Sequence, residues 1–174
     1  AATWSQIDLE AKTWTIPPEN LKDTRALQAR RHKPKQALVI PLSRQAIQLL
    51  TDAREAETER LQLNGLQEEI SKQDLLFVGP RGSKLGNWDR WLKATTAKTD
   101  IKGWSAHALR RTAATMAGDL GAPPHIVSVM LGHSNVGGQL LAGYNQSTYI
   151  SEHRQMLQDV ADRLEKIEGR TWYE

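Results

Sequence analysis

Apolar and polar positions alternate near the start of the chain and fall into helical spacing over most of the rest. In residues 1–16, Trp4, Ile7, Leu9, Trp14 and Ile16 are the β-prone positions of two short strands, ATWSQIDL and TWTI, turned at Glu10-Ala11-Lys12. ALVIPL at 37–42 predicts a third strand, closing an antiparallel sheet. Ser43 then caps a helix with Ala46, Ile47, Leu49, Leu50 and Ala53 facing inward; its second half, DAREAETER, is charged, and Asn64-Gly65 stops it. LLFVG at 75–79 reads as a short extended run, PRGSKLGN as a turn-rich connector, and Asn87 as the cap of a helix carrying Trp88, Trp91, Leu92 and Ala94. From Ser105, an N-cap, the positions Ala108, Leu109, Ala113, Met116, Ala117 and Leu120 form one apolar face that Gly121 ends at C′. Pro123-Pro124 opens a short helix buried through Ile126, Val127, Val129, Met130 and Leu131, and Gly132 stops it so that His133 projects from a tight turn. A last helix starts at Ser147 or Thr148 and runs to about Glu168, with Ile150, Leu157, Val160, Ala161, Leu164 and Ile167 as its stripe and Gly169 as its stop. The fold class is therefore α+β, mainly helical with a small antiparallel three-stranded sheet near the N-terminus.

Composition narrows this reading. A chain of 174 residues suits one domain with a sizeable core. No stretch approaches the roughly 18 consecutive apolar residues of a membrane span. With no cysteine, disulfide frameworks and thiolate metal sites are excluded. Of the six tryptophans, Trp4 and Trp14 lie in predicted strands and Trp88 and Trp91 at helical spacing, which favours core positions over base stacking. Net charge is only +3, but residues 19–36 hold six Lys/Arg against two acids, so the rest of the chain sums to −1. This basic segment, Lys22, Arg25, Arg30, Arg31, Lys33 and Lys35, lies in a long loop marked by Pro17, Pro18 and Pro34. Loops of that length inside compact domains are usually functional or disordered. A concentrated basic segment on a near-neutral body suits the phosphate backbone of DNA, the bland alternative being a solvated loop. Arg81 and Lys84 are further phosphate-contact candidates, with plain surface charge as the alternative.

The chemistry concentrates in residues 104–144, where His107, Arg110, His133 and Tyr144 occur together. His107 and Arg110 are three apart and leave the same side of a first helical turn. Cleaving a phosphodiester without a metal needs a nucleophile, cations for the phosphorane, a proton acceptor and a proton donor. Tyr144 supplies a phenol, weak at its ordinary pKa of about 10 until activated. Arg110 offers a planar fork for two non-bridging oxygens. His107, if neutral, accepts the phenolic proton, and His133 donates to a phosphate oxygen. Tyr149 is a rival nucleophile by position, but in the first turn of the last helix it shares a face with Met156 and Val160 and reads as a packing residue. His32, His125 and His153 read as structural. Zinc held by His107, His125 and His133 fits no common ligand spacing.

H-A-L-R-R-T, then L-G-H-S, then Tyr144 resemble the H-x-x-R … L-G-H … Y signature of the tyrosine recombinases, the phage-integrase family. YNQSTYISEHRQMLQDVADRLE is similar to the tail of its P4-like prophage group, and WSQIDLEAKTWTIP and VIPLS resemble the strands preceding the signature. The resemblance spans nearly the whole chain, with less familiar segments at about 22–37 and 52–72. It implies a site-specific recombinase that cuts and rejoins DNA through a 3′-phosphotyrosyl intermediate, in prophage or genomic-island integration and excision, with no cofactor. It also implies a bacterial, nucleoid-associated enzyme binding double-stranded attachment sites as a homotetramer, monomeric without DNA and with no membrane role. The same resemblance adds a lysine general acid from the loop between the second and third strands. I-P-P-E-N-L-K aligns Lys22 with it, while Lys33 and Lys35, nearer the third strand, remain rivals because the loop is long. The family carries another catalytic arginine in a helix upstream of the W-x-x-I-D box, and a DNA-clamping domain further upstream. Residues 1–174 are thus expected to be a catalytic domain truncated at its N-terminus and inactive alone. Two other readings compete. A helix-turn-helix over 107–131 is opposed by a second helix too apolar to read bases. A hydrolytic nuclease would use His107 and His133 as an acid–base pair.

Overall fold

The computed structural model describes residues 2–21, 37–65, 74–78, 86, 88–99, 105–132 and 149–169. Strands β1 (Ile7–Asp8), β2 (Thr13–Ile16) and β3 (Leu38–Pro41) form an antiparallel sheet in the order β1-β2-β3. Thr13 pairs with Pro41 and Ile16 with Leu38, so the segment between β2 and β3 leaves and rejoins the sheet at one point. The β1–β2 turn is pinned by the Asp8 carboxylate, which accepts from the Ala11 amide at 2.7 Å, and it closes through Lys12 at φ +54°.

The first strand is shorter than the alternation predicts, because Trp4–Gln6 coil into a 3₁₀ turn. The cause is a competing partner. The Trp4 amide donates to the Asp74 carbonyl at 2.7 Å, the Ser5 amide to the Asp74 carboxylate at 3.0 Å, and the Leu76 amide to the Ala2 carbonyl at 3.0 Å. Leu75 thereby bridges Thr3 antiparallel, which is the extended run expected near 75. The start of the chain pairs with residues 74–76 rather than prolonging β1.

Helices α1 (Arg44–Leu63), α2 (Trp88–Thr96), α3 (Ala106–Asp119), α4 (Pro124–Met130) and α5 (Ile150–Glu168) follow. Ser43 caps α1 by accepting from the Ala46 amide at 3.2 Å, and Gly65 past its end sits at φ +70°. α5 ends as predicted, with Gly169 left-handed. Its start differs: the first helical residue is Ile150, with Tyr149 as N-cap, whereas Ser147 and Thr148 lie outside the described residues.

α5 is the central element, packing on α3, α4, β3 and α1. Among the described residues the buried apolar ones include Leu42, Leu61, Leu76, Ala117, Ile126 and Val160, together with Pro41 at the end of β3. Several positions expected inside are not. Leu49, Leu109, Leu120, Leu164 and Ile167 are exposed, as is Trp91, while Trp4 and Trp14 are half-buried. Trp14 Nε1 donates to Gln6 Oε1 at 3.1 Å, and the Arg54 guanidinium lies 4.8 Å over the Trp4 ring. Both contacts show tryptophans holding local structure.

A polar clasp joins α1 to α5. The buried Gln45 donates to Asp162 at 2.8 Å and to Glu165 at 2.6 Å, and accepts from Gln158 at 3.0 Å. Gln158 Oε1 also caps the Arg44 amide at 3.0 Å, and Arg44 pairs with Asp162 at 3.0 Å. Further along α5, Arg154 reaches back to the β1–β2 turn and donates to the Ala11 and Lys12 carbonyls, each at 3.1 Å. Among the described residues no buried side-chain polar atom lacks a partner, and no helix is long and apolar enough to cross a membrane.

Candidate functional site

α3 begins where its sequence says it must. The Ser105 hydroxyl accepts from the Ala108 amide at 3.1 Å, satisfying one of the orphan donors of the first turn. The helix ends in a Schellman arrangement: the Ala122 amide bonds the Ala117 carbonyl at 2.9 Å, the Gly121 amide bonds the Gly118 carbonyl at 2.9 Å, and Gly121 is at φ +87°. His107 and Arg110 thus stand three residues apart in the opening turn, both exposed. The Arg110 guanidinium donates to the carbonyl of Leu131, the C-cap of α4. That contact fixes the cation one residue before Gly132 and two before His133.

Gly132 ends α4 at φ +65°, with its amide on the Val129 carbonyl at 2.8 Å. A Cβ at this position would meet Leu38 Cδ2 at 3.5 Å. Leu38 is the first residue of β3 and directly follows the basic segment and Ala37. Three stretches remote in sequence therefore meet: the first turn of α3, the end of α4, and the Ile16–Leu38 pair from which the basic segment departs. An exposed guanidinium and imidazole on one side of a helix turn can take the non-bridging oxygens of a phosphate.

Of the predicted site residues, the structure describes His107 and Arg110. His133, Tyr144 and Lys22 lie outside the described residues, as do Arg25, Arg30, Arg31, Lys33, Lys35, Arg81 and Lys84.

Tyr149 stands just before the last helix rather than in its first turn: it is the N-cap, left-handed at φ 48° and ψ 29°. Its ring is 4.9 Å from that of His125, tilted by 51°. No sequence signal announces a left-handed tyrosine. Nearby, the Ser151 hydroxyl, then a backbone amide and the charge of His125, hold the Glu152 carboxyl below the usual carboxylate range. His153, one residue on, is buried, and burial pushes its imidazole below the ordinary 6.5.

Comparisons with known proteins bear on the family of the chain. The model of the phage integrase family matches residues 1–149. Prophage integrase IntZ of Escherichia coli (strain K12) is 30% identical over 165 residues, covering 94% of this chain and 35% of that protein. Prophage integrase IntA of the same organism is 27% identical over 169 residues, covering 97% of this chain and 35% of that protein. The chain thus spans about a third of the length of the curated relatives it matches. No solved structure matches.

Proposed function

The chain belongs to the phage integrase family, and on that premise we propose that it is the catalytic part of a site-specific DNA recombinase. The observation carrying this reading is Arg110, held exposed in the first turn of α3 against the Leu131 carbonyl and one turn from His107. A cation so placed can bind the scissile phosphate and, because its donors are pre-oriented, stabilise the charge that develops on the phosphorane. Tyr144 attacks phosphorus, and the bond to the 5′ oxygen breaks, leaving a 3′-phosphotyrosyl enzyme and a 5′-hydroxyl. His107 takes the phenolic proton, His133 hydrogen-bonds a non-bridging oxygen, and Lys22, with Lys33 and Lys35 as rivals, protonates the leaving oxygen. Attack by a 5′-hydroxyl reverses the steps and joins strands without net loss of phosphodiester energy, so no cofactor is required. Arg25, Arg30, Arg31, Lys33 and Lys35, with Arg81 and Lys84, contact phosphates of double-stranded DNA, on which four copies assemble.

Against the helix-turn-helix alternative stands α4, which buries Ile126, packs on α3 and α5, and has no fully exposed face from Ile126 to Met130. A recognition helix must present base-reading side chains to a groove. The test uses a nicked suicide DNA substrate and the full-length protein that carries this chain. A covalent protein–DNA adduct is expected on a denaturing gel. Tyr144→Phe should abolish it with DNA affinity nearly unchanged, and Tyr149→Phe should retain it. Hydrolysis without an adduct would establish the nuclease reading instead, and an adduct mapping to Tyr149 would move the nucleophile.

A further inference from the structure

An exposed arginine is a long side chain with many rotamers, and it is placed for chemistry only where its planar fork is held. The Arg110 guanidinium donates to the Leu131 carbonyl at the C-cap of α4. The last carbonyls of a helix have no partner within it, so such a group is free to receive a donor from elsewhere. Where that carbonyl stands depends on where the end of α4 lies.

The helix ends on Gly132, exposed and left-handed at φ +65°, with its amide on the Val129 carbonyl at 2.8 Å. Glycine takes that angle without strain, but it has no side chain with which to anchor the turn. What lies against it comes from the sheet. A Cβ at Gly132 would meet Leu38 Cδ2 at 3.5 Å, which among the described residues is the one heavy atom within 4 Å apart from the chain neighbours. This is ordinary van der Waals distance, so a Leu38 methyl rests on the glycine without displacing it. Leu38 itself is half-buried and stands on a firm platform. β3 pairs with β2 from Ile16–Leu38 to Thr13–Pro41, Pro41 is fully buried, and the Leu42 amide donates to the Lys12 carbonyl at 2.9 Å. Arg154 of α5 holds the same turn through the Ala11 and Lys12 carbonyls.

We infer that Leu38 is a positioning residue for the reaction: its methyl sets the end of α4 and, through the Leu131 carbonyl, the place at which the Arg110 fork meets phosphate. The inference rests on the reading of Arg110 as the cation that binds the scissile phosphate. It goes further by giving an apolar strand residue, which touches no reacting group, a share in the rate. Misplacing a catalytic group by an ångström costs of the order of a hundredfold, and a glycine turn that loses one side-chain stop shifts by a fraction of that.

The experiment measures single-turnover adduct formation on the suicide substrate in the full-length protein, with DNA affinity and melting temperature recorded in parallel. Leu38→Ala removes the methyl and should slow adduct formation roughly tenfold at unchanged DNA affinity, well below its melting temperature. Leu38→Met keeps reach and volume and should stay within about twofold of the unmodified protein. Val39→Ala alters the exposed neighbour on the opposite face of the strand and should leave the rate unchanged. The deciding measurement is a double-mutant cycle with Arg110→Ala. In that background Leu38→Ala should cause no further slowing, because the group it positions is gone. A further tenfold loss on top of Arg110→Ala would overturn the inference, since Leu38 would then act by another route. So would Leu38→Ala reacting at the unmodified rate. If Leu38→Ala does not fold, Leu38→Val, shorter by one methylene, decides through the same cycle. No adduct in the unmodified protein would instead overturn the function proposal, and this inference with it.

Discussion

Two arginines show how differently the two sides of this molecule use charge. Arg154 on α5 is half-buried and gives its guanidinium to the Ala11 and Lys12 carbonyls of the β1–β2 turn. It belongs with Gln45, Gln158, Asp162 and Arg44, a region where polar groups of α1, α5 and the hairpin satisfy one another. Arg110 on α3 is exposed and donates to a backbone carbonyl at the C-cap of α4. A guanidinium bonded to an acid would have its charge neutralised before substrate arrived. A contact to a neutral carbonyl orients a guanidinium without neutralising it. The stabilising region closes its polar groups on themselves, and the candidate site presents an exposed guanidinium.

Breaking each arginine should separate these jobs. Arg110→Ala should cut adduct formation by about 10²–10³ in the full-length protein, with little change in melting temperature, because an exposed side chain contributes little to stability. Arg110→Lys should recover only part of the rate, since an ammonium cannot present the planar fork. Arg154→Ala should do the reverse. It leaves two turn carbonyls short of a partner and should cost about 1–2 kcal/mol in denaturant unfolding, with adduct formation retained at temperatures where the protein stays folded. A loss of chemistry in Arg154→Ala larger than in Arg110→Ala would erase the comparison.

The smallest effect sharpens the comparison through pH. Burial depresses the folded-state His153 imidazole below its ordinary 6.5, so the unfolded chain binds the proton more readily. The contribution is fully present above 6.5 and is lost as pH falls through the lower folded value. Asp162, held below its ordinary 3.8 first by the Gln45 amide and then by Gln158 and Arg44, acts only in stronger acid. Denaturant midpoints should therefore decline as pH falls below the ordinary 6.5, and His153→Gln should flatten that decline. An unchanged slope in the variant would assign the decline to other groups.

What the sequence made legible was local. Ser43 and Ser105 cap because a short hydroxyl reaches an amide three residues on, and Gly65, Gly121 and Gly169 stop helices because each takes a positive φ. His107 and Arg110 came from spacing within one turn and from the signature motif. What stayed hidden depended on partners far along the chain. Gln45 reads as a surface residue, yet it is buried because Gln158, Asp162 and Glu165, more than a hundred positions away, satisfy its amide. Residues 2–6 alternate like a strand but pair with 74–76. The apolar stripes of α3 and α5 were legible, although Leu109, Leu164 and Ile167 lie beyond the width that neighbouring elements cover. Likewise the Leu131 carbonyl that receives Arg110 is a group every residue possesses and no pattern marks.

The reach of Arg154 across 142 and 143 positions to the β1–β2 turn has a consequence for biosynthesis. A ribosome releases the hairpin long before it releases its clamp: the turn emerges within the first tenth of this chain and α5 within the last sixth. Until then the sheet lacks its cover, α1 lacks the partners of Gln45, and α3 and α4 lack the helix they pack on. Contacts of such sequence separation carry their loop-closure entropy into the rate-limiting step. The nascent chain is thus held back from completing its fold until α5 arrives, and exposed strand edges and apolar stripes during that interval are the surfaces a chaperone would meet.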